Sequence, residues 1–413
     1  MSRAPLRVAV LGAGTVGLEV IRALTTDSDR LSPADGSTLV LAGVAVRDLD
    51  RAQARGVPAA ILTDAPAHLV ASPEVDVIVE VMGGDEPART LTAAALGAGK
   101  PVVSANKHVL AHHGPELEAV ARRTGAALRF EAAVGGGTPL LGPLAVDLAA
   151  NRIESLRGIV NGTTNHVLTA MTERGRPYAD VLADAQAAGY AEADPSGDVD
   201  GDDAVNKLVI LARLAFGSWL APGSIERRPP TVAGPGRPGI SGVSGDEVKA
   251  ATAVGLTLKL VARARRLPDG TVGAGVLVTA LAADDELART GGVENRVEID
   301  AVPVGRVAFA GPGAGGPATS SAILGDLIAI ARGGSATWAG LPPAEGPAGI
   351  AVADDQPRRR FFASTLPEQL VRDQVDVEVA RGGGFVTAAR PLAELQAGLD
   401  AAGVVATLYP LED

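Results

Sequence analysis

The chain of 413 residues contains no cysteine, which excludes a disulfide framework, a thiol nucleophile and a thiolate metal site. Histidine is also scarce, and the five that are present show no zinc-ligand spacing beside a carboxylate: His68, His108, His112, His113 and His166. Aromatic residues make up 3% of the chain, so we expect cores that are packed from alanine, valine and leucine. The sequence therefore argues against cysteine chemistry and against a histidine-bound metal.

Long apolar runs and an excess of positive charge are missing too. No apolar stretch reaches the roughly 20 residues that a membrane helix needs, and no signal-like segment opens the chain, so we expect a cytoplasmic protein. The net charge of −11 argues against nucleic acid or an acidic membrane surface as a partner. The length allows two or three domains, and 51 glycines with 28 prolines indicate a loop-rich α/β protein.

A glycine-rich turn, GAGTVG, follows the first apolar run (Leu6 to Val10) and precedes a helical pattern. This order is typical of a dinucleotide site, where the first glycine permits the turn, the second admits the pyrophosphate and the third allows close helix packing. The phosphates would lie at the helix N-terminus, where N–H groups favour negative charge. The predicted cofactor contacts are Gly12, Gly14, Thr15, Val16 and Gly17. Plain packing of the turn is the alternative.

The second predicted strand, Leu39 to Val46, is a continuous apolar run of the kind found in buried parallel strands. An enzyme that uses NAD would carry a carboxylate at the end of this strand, to bind the ribose hydroxyls. Arg47 occupies that place, and Asp48 lies one residue beyond it. Since a guanidinium binds a phosphate well, Arg47 favours NADP over NAD, unless the arginine only closes the strand.

Two further predicted strands end at the same edge of the parallel sheet. Val75 to Val81 is followed by a glycine pair that ends at Gly84, and Pro101 to Ser104 is followed by Lys107. Ligands of open α/β sheets bind beyond the carboxyl ends of the strands, so both residues are candidates for the nicotinamide side. A lysine that leaves a strand is otherwise commonly just solvated.

An acidic segment, Ala188 to Leu211, reads AGYAEADPSGDVDGDDAVNKLVIL. Its glycines and proline predict a loop, and its second half predicts a helix on which Asp203 and Lys207 are i,i+4 neighbours. Glu192 and Asp198 could then converge with them on one polar cavity. The simpler alternative is a solvated loop followed by a helix with an ordinary salt bridge.

Four other segments are relevant to the organisation of the chain. Glu131 precedes a glycine loop, NGTTN (residues 161–165) precedes a helical pattern, and GPGAGG (residues 311–316) enters an apolar helix. A glycine loop can turn carbonyl oxygens inward, and hard cations bind such oxygens beside a carboxylate. Residues 219–243 are rich in proline and glycine and, taken alone, look like a linker.

Taken in order over residues 6–335, the motifs GAGTVG, ANK, the Glu131 loop, NGTTN, the acidic segment and GPGAGG resemble those of homoserine dehydrogenases. The acidic segment is the most specific, with the pattern ADPxxDVxGxDxxxKLxIL. The resemblance implies a Rossmann-type doubly wound dinucleotide-binding domain (1–135, completed by 310–335) and an α+β substrate and dimerisation domain (136–310). The implied activity is the reversible NADP(H)-dependent reduction of L-aspartate 4-semialdehyde to L-homoserine, in threonine, methionine and isoleucine biosynthesis.

The chemistry of that reaction suggests roles for the acidic segment. The substrate carries an ammonium group, which Glu192, Asp198 and Asp203 would bind. Its aldehyde oxygen gains negative charge as hydride arrives and needs a cation or proton donor nearby, with Lys207 as first choice and Lys107 as second. A lysine among carboxylates suits a proton donor better than a general base.

Further roles come from the resemblance. It supports Gly84 and Lys107 as cofactor contacts and adds Gly189 and Gly315. It implies a sodium ion held by Glu131, Val134, Gly136 and Thr138. It also implies a homodimer or homotetramer.

Residues 340–413 differ in character from the rest of the chain. Predicted strands at 358–364, 374–380, 385–389 and 404–409 and a helix at 391–402 indicate a small α/β region that resembles ACT effector domains. The usual ligand signature of that type is absent, and its nearest match, Leu366 to Gln369, is poor. Effector binding and a packing or dimer role both stay open.

Two other functions also fit parts of this sequence. The chain could be a different NADP-dependent oxidoreductase of an amino or oxo acid, or a non-catalytic dinucleotide sensor. Both lysines and the carboxylates argue against the sensor. Aspartate-semialdehyde dehydrogenase is disfavoured because its nucleophile is a cysteine, and this chain has none.

Overall fold

The computed structural model describes residues 5–26, 31, 38–232, 236–338, 340–344, 349–351, 359–364, 376–401, 404 and 406–412. The predicted loop at 25–37 lies largely outside these residues, and the segment Leu366 to Gln369 lies wholly outside them. By its contacts the chain divides into two compact units. Unit 1 comprises Met1–Arg152, Val209–Pro222 and Gly311–Gly349, and unit 2 comprises Ile153–Leu208, Gly223–Ala310 and Ile350–Asp413. The domain boundaries expected from the sequence stay predictions.

Unit 1 contains a parallel sheet with helices between its strands. Its elements are β1 (Leu6–Leu11), α1 (Thr15–Thr26), β2 (Leu39–Ala45), α2 (Leu49–Ala54), β3 (Leu62–Thr63), α3 (Pro66–Ala71), β4 (Val77–Glu80), α4 (Ala88–Gly97), β5 (Val102–Ser104), α5 (Lys107–Thr124), β6 (Leu128–Arg129), α6 (Leu141–Ala145) and α13 (Gly316–Ala331). The strand order is β3-β2-β1-β4-β5-β6, and each neighbouring pair is parallel. This is the order of a doubly wound Rossmann sheet, as predicted.

A buried ionic network joins α5 to the chain segment 209–222 within unit 1. Glu118 is 2% exposed and accepts hydrogen bonds from Arg213 Nη2 at 2.7 Å and from Trp219 Nε1 at 2.8 Å. Burial alone would raise the pKa of Glu118, but these donors overcome it and the net pKa is lowered. Removal of either Glu118 or Arg213 alone would leave an uncompensated buried charge, which is strongly destabilising.

Unit 2 contains a mixed sheet. Its elements are β7 (Arg152–Ile159), α7 (Gly162–Arg174), α8 (Tyr178–Ala187), α9 (Ser196–Val199), α10 (Asp202–Phe216, whose later residues belong to unit 1), β8 (Thr231–Val232), α11 (Gly245–Ala253), β9 (Leu256–Arg266), β10 (Val272–Ala282), α12 (Glu286–Arg289), β11 (Glu294–Val302), β12 (Gly305–Pro312), β13 (Phe361–Ser364), β14 (Val377–Arg381), β15 (Gly384–Thr387), α14 (Leu392–Ala401), β16 (Ala406–Thr407) and β17 (Tyr409–Glu412). Nine strands follow the order β12-β11-β7-β9-β10-β17-β13-β15-β14, and β16 pairs with β8.

Four of the C-terminal strands, β13, β14, β15 and β17, belong to this nine-stranded sheet. β17 pairs with β10 in parallel, through Ala280 with Leu411 and Leu281 with Glu412. β13 then pairs antiparallel with β17 and with β15. Apolar side chains of this region, Phe361, Phe385 and Leu395 among them, form a small core of their own. The predicted fold class, a Rossmann-type domain with an α+β part and a small C-terminal α/β region, is confirmed.

Two helices begin earlier than the sequence predicts, and each is preceded by an asparagine cap. The sequence pattern predicts a helix from Pro115 to Thr124, but α5 begins at Lys107, because the Asn106 side chain accepts a hydrogen bond from the backbone N–H of Val109. The pattern likewise predicts a helix from about His166 to Arg174, but α7 begins at Gly162, because the Asn161 side chain accepts a hydrogen bond from the N–H of Thr164. The caps therefore belong to the motifs ANK and NGTTN themselves.

The segment that looked like a linker packs against the acidic segment where it is described. The N–H of Ile240 donates to the carbonyl of Val199 at 2.8 Å, and the N–H of Gly239 donates to the carbonyl of Arg227 at 2.9 Å. Gly239 has a φ of 57°, and a Cβ there would overlap the Val199 oxygen. The glycine is therefore required by close backbone contact.

Candidate active site

The glycines of the turn after β1 have two different roles. Gly12 has a φ of 108°, and a Cβ there would lie 2.7 Å from the Val81 oxygen. A Cβ at Gly17 would overlap the Gly12 carbonyl, so both glycines are required by packing. A Cβ at Gly14 would meet no atom within 4 Å. Gly14 thus leaves open space at the N-terminus of α1, where Thr15 and Val16 begin the helix, and this space suits an incoming pyrophosphate.

The turn before α13 lies against the same helix end. Gly315 has a φ of 121° and precedes the first residue of α13. A Cβ on the next residue, Gly316, would lie 3.0 Å from the carbonyl oxygen of Thr15. Gly315, one of the residues predicted to bind the cofactor, therefore lies close to the glycine turn.

A buried carboxylate that the sequence reading missed orders the edge of the parallel sheet. Glu80, at the end of β4, is 0% exposed and accepts hydrogen bonds from Ser104 Oγ at 2.8 Å and from the N–H of Met82 at 2.9 Å. Burial raises the pKa of this carboxyl. Ser104 Oγ also accepts from the N–H of Asn106, whose side chain donates to the Gly84 carbonyl at 2.9 Å.

This network gives Lys107 and Gly84 defined places. Gly84 lies in the loop after β4, with a φ of 72°, and is tied to the start of α5 by Asn106. Lys107 is the first residue of α5 and directly follows β5. The two residues therefore lie at the carboxyl edge of the sheet, where ligands of this fold bind.

The end of β2 carries Arg47 in an exposed position. The neighbouring Asp48 caps α2, since its Oδ1 accepts a hydrogen bond from the N–H of Arg51 at 2.9 Å. A second guanidinium, which sequence reasoning missed, lies nearby: Nη1 of Arg55 is 3.4 Å from the carbonyl oxygen of Ala13 in the glycine turn.

In unit 2, the side chain of Asn161 connects two carboxylates of the acidic segment. Its Nδ2 donates to Asp198 Oδ1 at 2.7 Å and to Asp203 Oδ2 at 2.8 Å. Thr163 Oγ1 lies 3.0 Å from Asp198 Oδ2 and 2.8 Å from the carbonyl of Tyr190. NGTTN and the acidic segment thus form one cluster, which the sequence could not show.

Lys207 completes this cluster from one turn further along α10. Its Nζ donates to Asp203 Oδ2 at 2.7 Å and to the carbonyl of Val160 at 2.6 Å. Asp203 and Lys207 are each 7% exposed, so their charges interact in a mostly dehydrated environment. We call Asn161, Asp198, Asp203 and Lys207 the Asn161 cluster.

Two predicted site residues lie outside this cluster. Glu192 and Gly189 are exposed residues in the turn between α8 and α9. The backbone carbonyl of Glu192 accepts a hydrogen bond from Gln186 at 3.0 Å, and Gly189 has a φ of 77°. Their assignment to substrate and cofactor stays a prediction.

The predicted sodium ligands lie on one loop in unit 1. Glu131 Oε1 accepts hydrogen bonds from the N–H groups of Leu140 and Leu141, and Oε2 accepts one from Gly142 at 2.6 Å. Burial raises the pKa of Glu131, and nearby Asp326, which accepts from the Glu131 N–H at 2.9 Å, adds to this effect. Val134, Gly136 and Thr138 follow on the same loop.

The Thr138 hydroxyl oxygen is buried and has no hydrogen-bond partner among the described residues. Groups of three or more histidine or acidic side chains able to hold a metal are absent from the described part of the chain. A cation at this loop would therefore depend on backbone and hydroxyl oxygens beside the single carboxylate.

Two family models match consecutive parts of the chain. Residues 12–131 match the model of the homoserine dehydrogenase NAD-binding domain, and residues 139–328 match the homoserine dehydrogenase model. Homoserine dehydrogenase of Corynebacterium glutamicum is 40% identical over 350 residues, which cover 82% of this chain and 76% of that protein. The chain belongs to the homoserine dehydrogenase family. The homoserine dehydrogenase of Mycobacterium tuberculosis strain H37Rv is 42% identical over 79% of this chain and 73% of its own length.

Solved structures agree with this membership. A homoserine dehydrogenase from Thiobacillus denitrificans has a TM-score of 0.88 and 31% identity, with 100% of this chain and 99% of that chain covered. A hyperthermophilic archaeal homoserine dehydrogenase in complex with NADPH has a TM-score of 0.65 and 28% identity, over 80% of this chain and 98% of that chain.

Membership of this family establishes the general type of activity. The chain is an NAD(P)-dependent oxidoreductase that uses a nicotinamide dinucleotide and acts on a small molecule, as the sequence predicted. Among the described helices, none is both long and apolar enough to span a membrane.

The open space at Gly14 generates a test of the cofactor site. We expect Gly14→Ala to keep the melting temperature of the wild type, since the added methyl meets no protein atom, and to weaken NADPH binding in a direct titration. Gly97→Ala, at another open glycine of unit 1, is the matched control and should change neither property. Unchanged NADPH affinity in Gly14→Ala would contradict the assignment of this turn.

Proposed function

We propose that this protein catalyses the reversible NADP(H)-dependent reduction of L-aspartate 4-semialdehyde to L-homoserine, as a step of threonine, methionine and isoleucine biosynthesis. The Asn161 cluster carries the proposal, because it offers two carboxylates and one lysine in a chain of the homoserine dehydrogenase family. Carboxylates match the substrate ammonium group, and a lysine matches the oxygen that becomes negative during reduction.

A bound nicotinamide dinucleotide supplies the hydride in the reductive direction and accepts it in the oxidative one. The protein has to stabilise the carbonyl oxygen of the substrate as this oxygen gains negative charge. In our proposal the Lys207 ammonium lies beside that oxygen and transfers a proton from Nζ to it. Asp203, at 2.7 Å from Nζ, keeps the lysine protonated and oriented, and water carries the proton between solvent and the site.

The other predicted residues have supporting parts in this proposal. Asp203, Asp198 and Glu192 bind the ammonium group of the substrate. Lys107, the first residue of α5, acts as a second cation at the nicotinamide side. In the oxidative direction the alcohol proton returns to Lys207 Nζ by the reverse path.

Replacement of Lys207 tests this role. We expect Lys207→Met to lower kcat by roughly 10²–10⁴-fold, the usual contribution of a positioned acid or base, with NADPH affinity nearly unchanged. The assay is NADPH oxidation with L-aspartate 4-semialdehyde. Lys249→Met, at an exposed lysine of α11, is the matched control and should turn over like the wild type. Normal turnover in Lys207→Met would refute the role of Lys207. A wild type that binds NADPH but does not reduce this aldehyde would favour a different amino or oxo acid as substrate.

The preference for NADP is supported by the end of β2. Asp48, the carboxylate nearest to the expected ribose position, already caps α2. Arg47 beside it is exposed and Arg55 lies next to the glycine turn, so the charges in this region suit a 2′-phosphate.

Replacement of Arg47 tests this preference. Hydrogen bonds to charged groups contribute about 1.5–3 kcal/mol, so Arg47→Ala should raise the KM for NADPH by roughly 10- to 100-fold. The KM for NADH should change little. Arg51→Ala, at an exposed arginine on the adjacent helix α2, serves as the control. An equal effect of Arg47→Ala on both cofactors would contradict recognition of the 2′-phosphate.

A monovalent cation, sodium by family resemblance, is proposed at the Glu131 loop. The raised pKa of Glu131 reflects a carboxyl that is costly to ionise, and a bound cation would offset that cost. The buried Thr138 hydroxyl and the carbonyls of Val134, Gly136 and Thr138 provide neutral oxygens on the same loop.

Thermal unfolding tests the cation without an activity assay. At equal ionic strength the melting temperature should be higher in sodium chloride than in choline chloride, because a ligand that binds only the folded state stabilises it. Glu131→Gln should abolish this difference between the salts. Equal melting temperatures of the wild type in both salts would contradict the site.

A further inference from the structure

Lys259, on β9, lies outside the proposed active site and is 1% exposed. Its Nζ donates to three acceptors, each at 2.8 Å: Asn165 Oδ1, Thr169 Oγ1 and the carbonyl of Thr290. An ammonium group has three N–H donors, so the structure supplies it with a complete set of partners. Burial of an ammonium group without hydrogen-bond partners would cost a prohibitive amount of free energy, so these three acceptors are what allows a lysine at this buried position.

We propose that Lys259 is a positioning residue for the reaction, which holds α7 in place and through it the Asn161 cluster. This inference rests on the function proposed above.

The geometry of α7 connects the two sites. Asn161, Asn165 and Thr169 follow each other at intervals of four residues, and therefore lie on one face of the helix. Lys259 binds the second and third of these side chains. The first caps α7 and donates to both carboxylates of the cluster. A shift of α7 along or about its axis would therefore move the donor that holds Asp198 and Asp203.

The choice of lysine argues for more than packing. β9 reads LTLKLVARARR, and the neighbouring Leu258 and Leu260 are buried hydrophobic residues. For packing alone, an apolar side chain at position 259 would serve as well or better. Replacing a buried charged group by a hydrophobic residue of similar volume often leaves the free energy of unfolding unchanged or increases it. The lysine instead fixes the rotation and height of α7 through directional bonds.

The charge of Lys259 is sensitive to pH. Burial lowers its pKa to about 8, and Glu173 on α7 opposes this effect. Other charged groups on the packed helices are engaged elsewhere. Glu286 and Arg289 of α12 are mostly exposed and pair at 3.2 Å, and Glu247 of α11 binds Ser244 and Tyr409.

Loss of the Lys259 proton has opposite consequences for stability and for the site. Between about pH 8 and its ordinary value of 10.5, the unfolded chain holds a proton that the folded protein has released, so this group makes unfolding less favourable as pH rises. The neutral amine, however, has only two N–H groups for three acceptors, so its hold on α7 weakens. We therefore expect kcat to decline on the alkaline side while the contribution of this group to stability increases.

Three variants test the proposal by the pH profile of kcat for aldehyde reduction. Asn165→Asp places a carboxylate beside Nζ, and the alkaline decline should move upward by about one pH unit or more. Thr169→Val removes one acceptor of the ammonium, and the decline should move to lower pH.

Lys259→Met should lower kcat by about 10- to 100-fold, with the KM for NADPH unchanged. Thr172→Val is the matched control on α7, since its hydroxyl bonds only locally to the carbonyl of Leu168, and it should leave the profile unchanged.

A second readout does not depend on activity. The chain has five lysines, Lys100, Lys107, Lys207, Lys249 and Lys259, so carbon-13-labelled lysine gives a spectrum of five side chains. Lys259→Met identifies the signal of Lys259, and Asn165→Asp should raise its titration midpoint and also shift the signal of Lys207. If Lys259→Met does not fold, the Asn165 and Thr169 variants still carry the test.

The outcomes separate this proposal from the proposed function. An alkaline decline that does not move while the Lys259 midpoint does, with an unshifted Lys207 signal, would overturn the positioning role. A wild type without turnover would contradict the proposed function instead. In that case the Lys207 signal would still decide whether Lys259 positions the cluster.

Discussion

The carboxylate of Asp203 and the ammonium of Lys207 are both buried, and this pair needs further partners to be stable in the protein. Dehydration of two charges costs several kcal/mol for each ion, and their mutual attraction compensates only when hydrogen bonds satisfy the remaining groups. Asn161 and the carbonyl of Val160 provide those bonds at 2.8 Å and 2.6 Å. The N-terminus of α7, the end of β7 and the start of α10 must therefore meet at one point.

Unit 1 uses the same device. Asn106 caps α5 as Asn161 caps α7, and its amide also bridges to a neighbouring loop, through the Gly84 carbonyl. Behind it lies the buried Glu80, which is held by Ser104 and a backbone N–H. In each unit, the asparagine that caps a helix also binds a second segment. Asn106 binds the loop after β4, and Asn161 binds the acidic segment. A lysine lies next to each cap. Lys107 follows Asn106 in the chain, and Lys207 donates a hydrogen bond to the carbonyl of Val160, which precedes Asn161.

The sequence predicted what depends on local pattern. The apolar runs of β1, β2 and β4, the glycine turn and the i,i+4 pair of Asp203 with Lys207 all follow from neighbours along the chain. Contacts across long sequence distances could not be predicted this way. Asn161 meets Asp203 over 42 residues, and Lys259 meets Asn165 over 94 residues. The exact starts of α5 at Lys107 and of α7 at Gly162 depend on caps by Asn106 and Asn161, whose hydrogen bonds the structure shows. Gly189 is assigned to the cofactor by family resemblance, and Glu192 to the substrate by its place in the acidic segment. Both residues lie in an exposed turn, and both assignments stay predictions.

We expect Asn161 and Lys207 to act as one unit in catalysis. A double-mutant cycle measures this directly, with kcat for NADPH-dependent reduction of L-aspartate 4-semialdehyde determined for Asn161→Ala, Lys207→Met and the double variant. If Asn161 acts by holding the Asp203–Lys207 pair, the double variant should be little slower than the slower single variant, since effects of residues that act together are not additive. Losses that multiply fully in the double variant would show that the two residues act independently and would contradict this account.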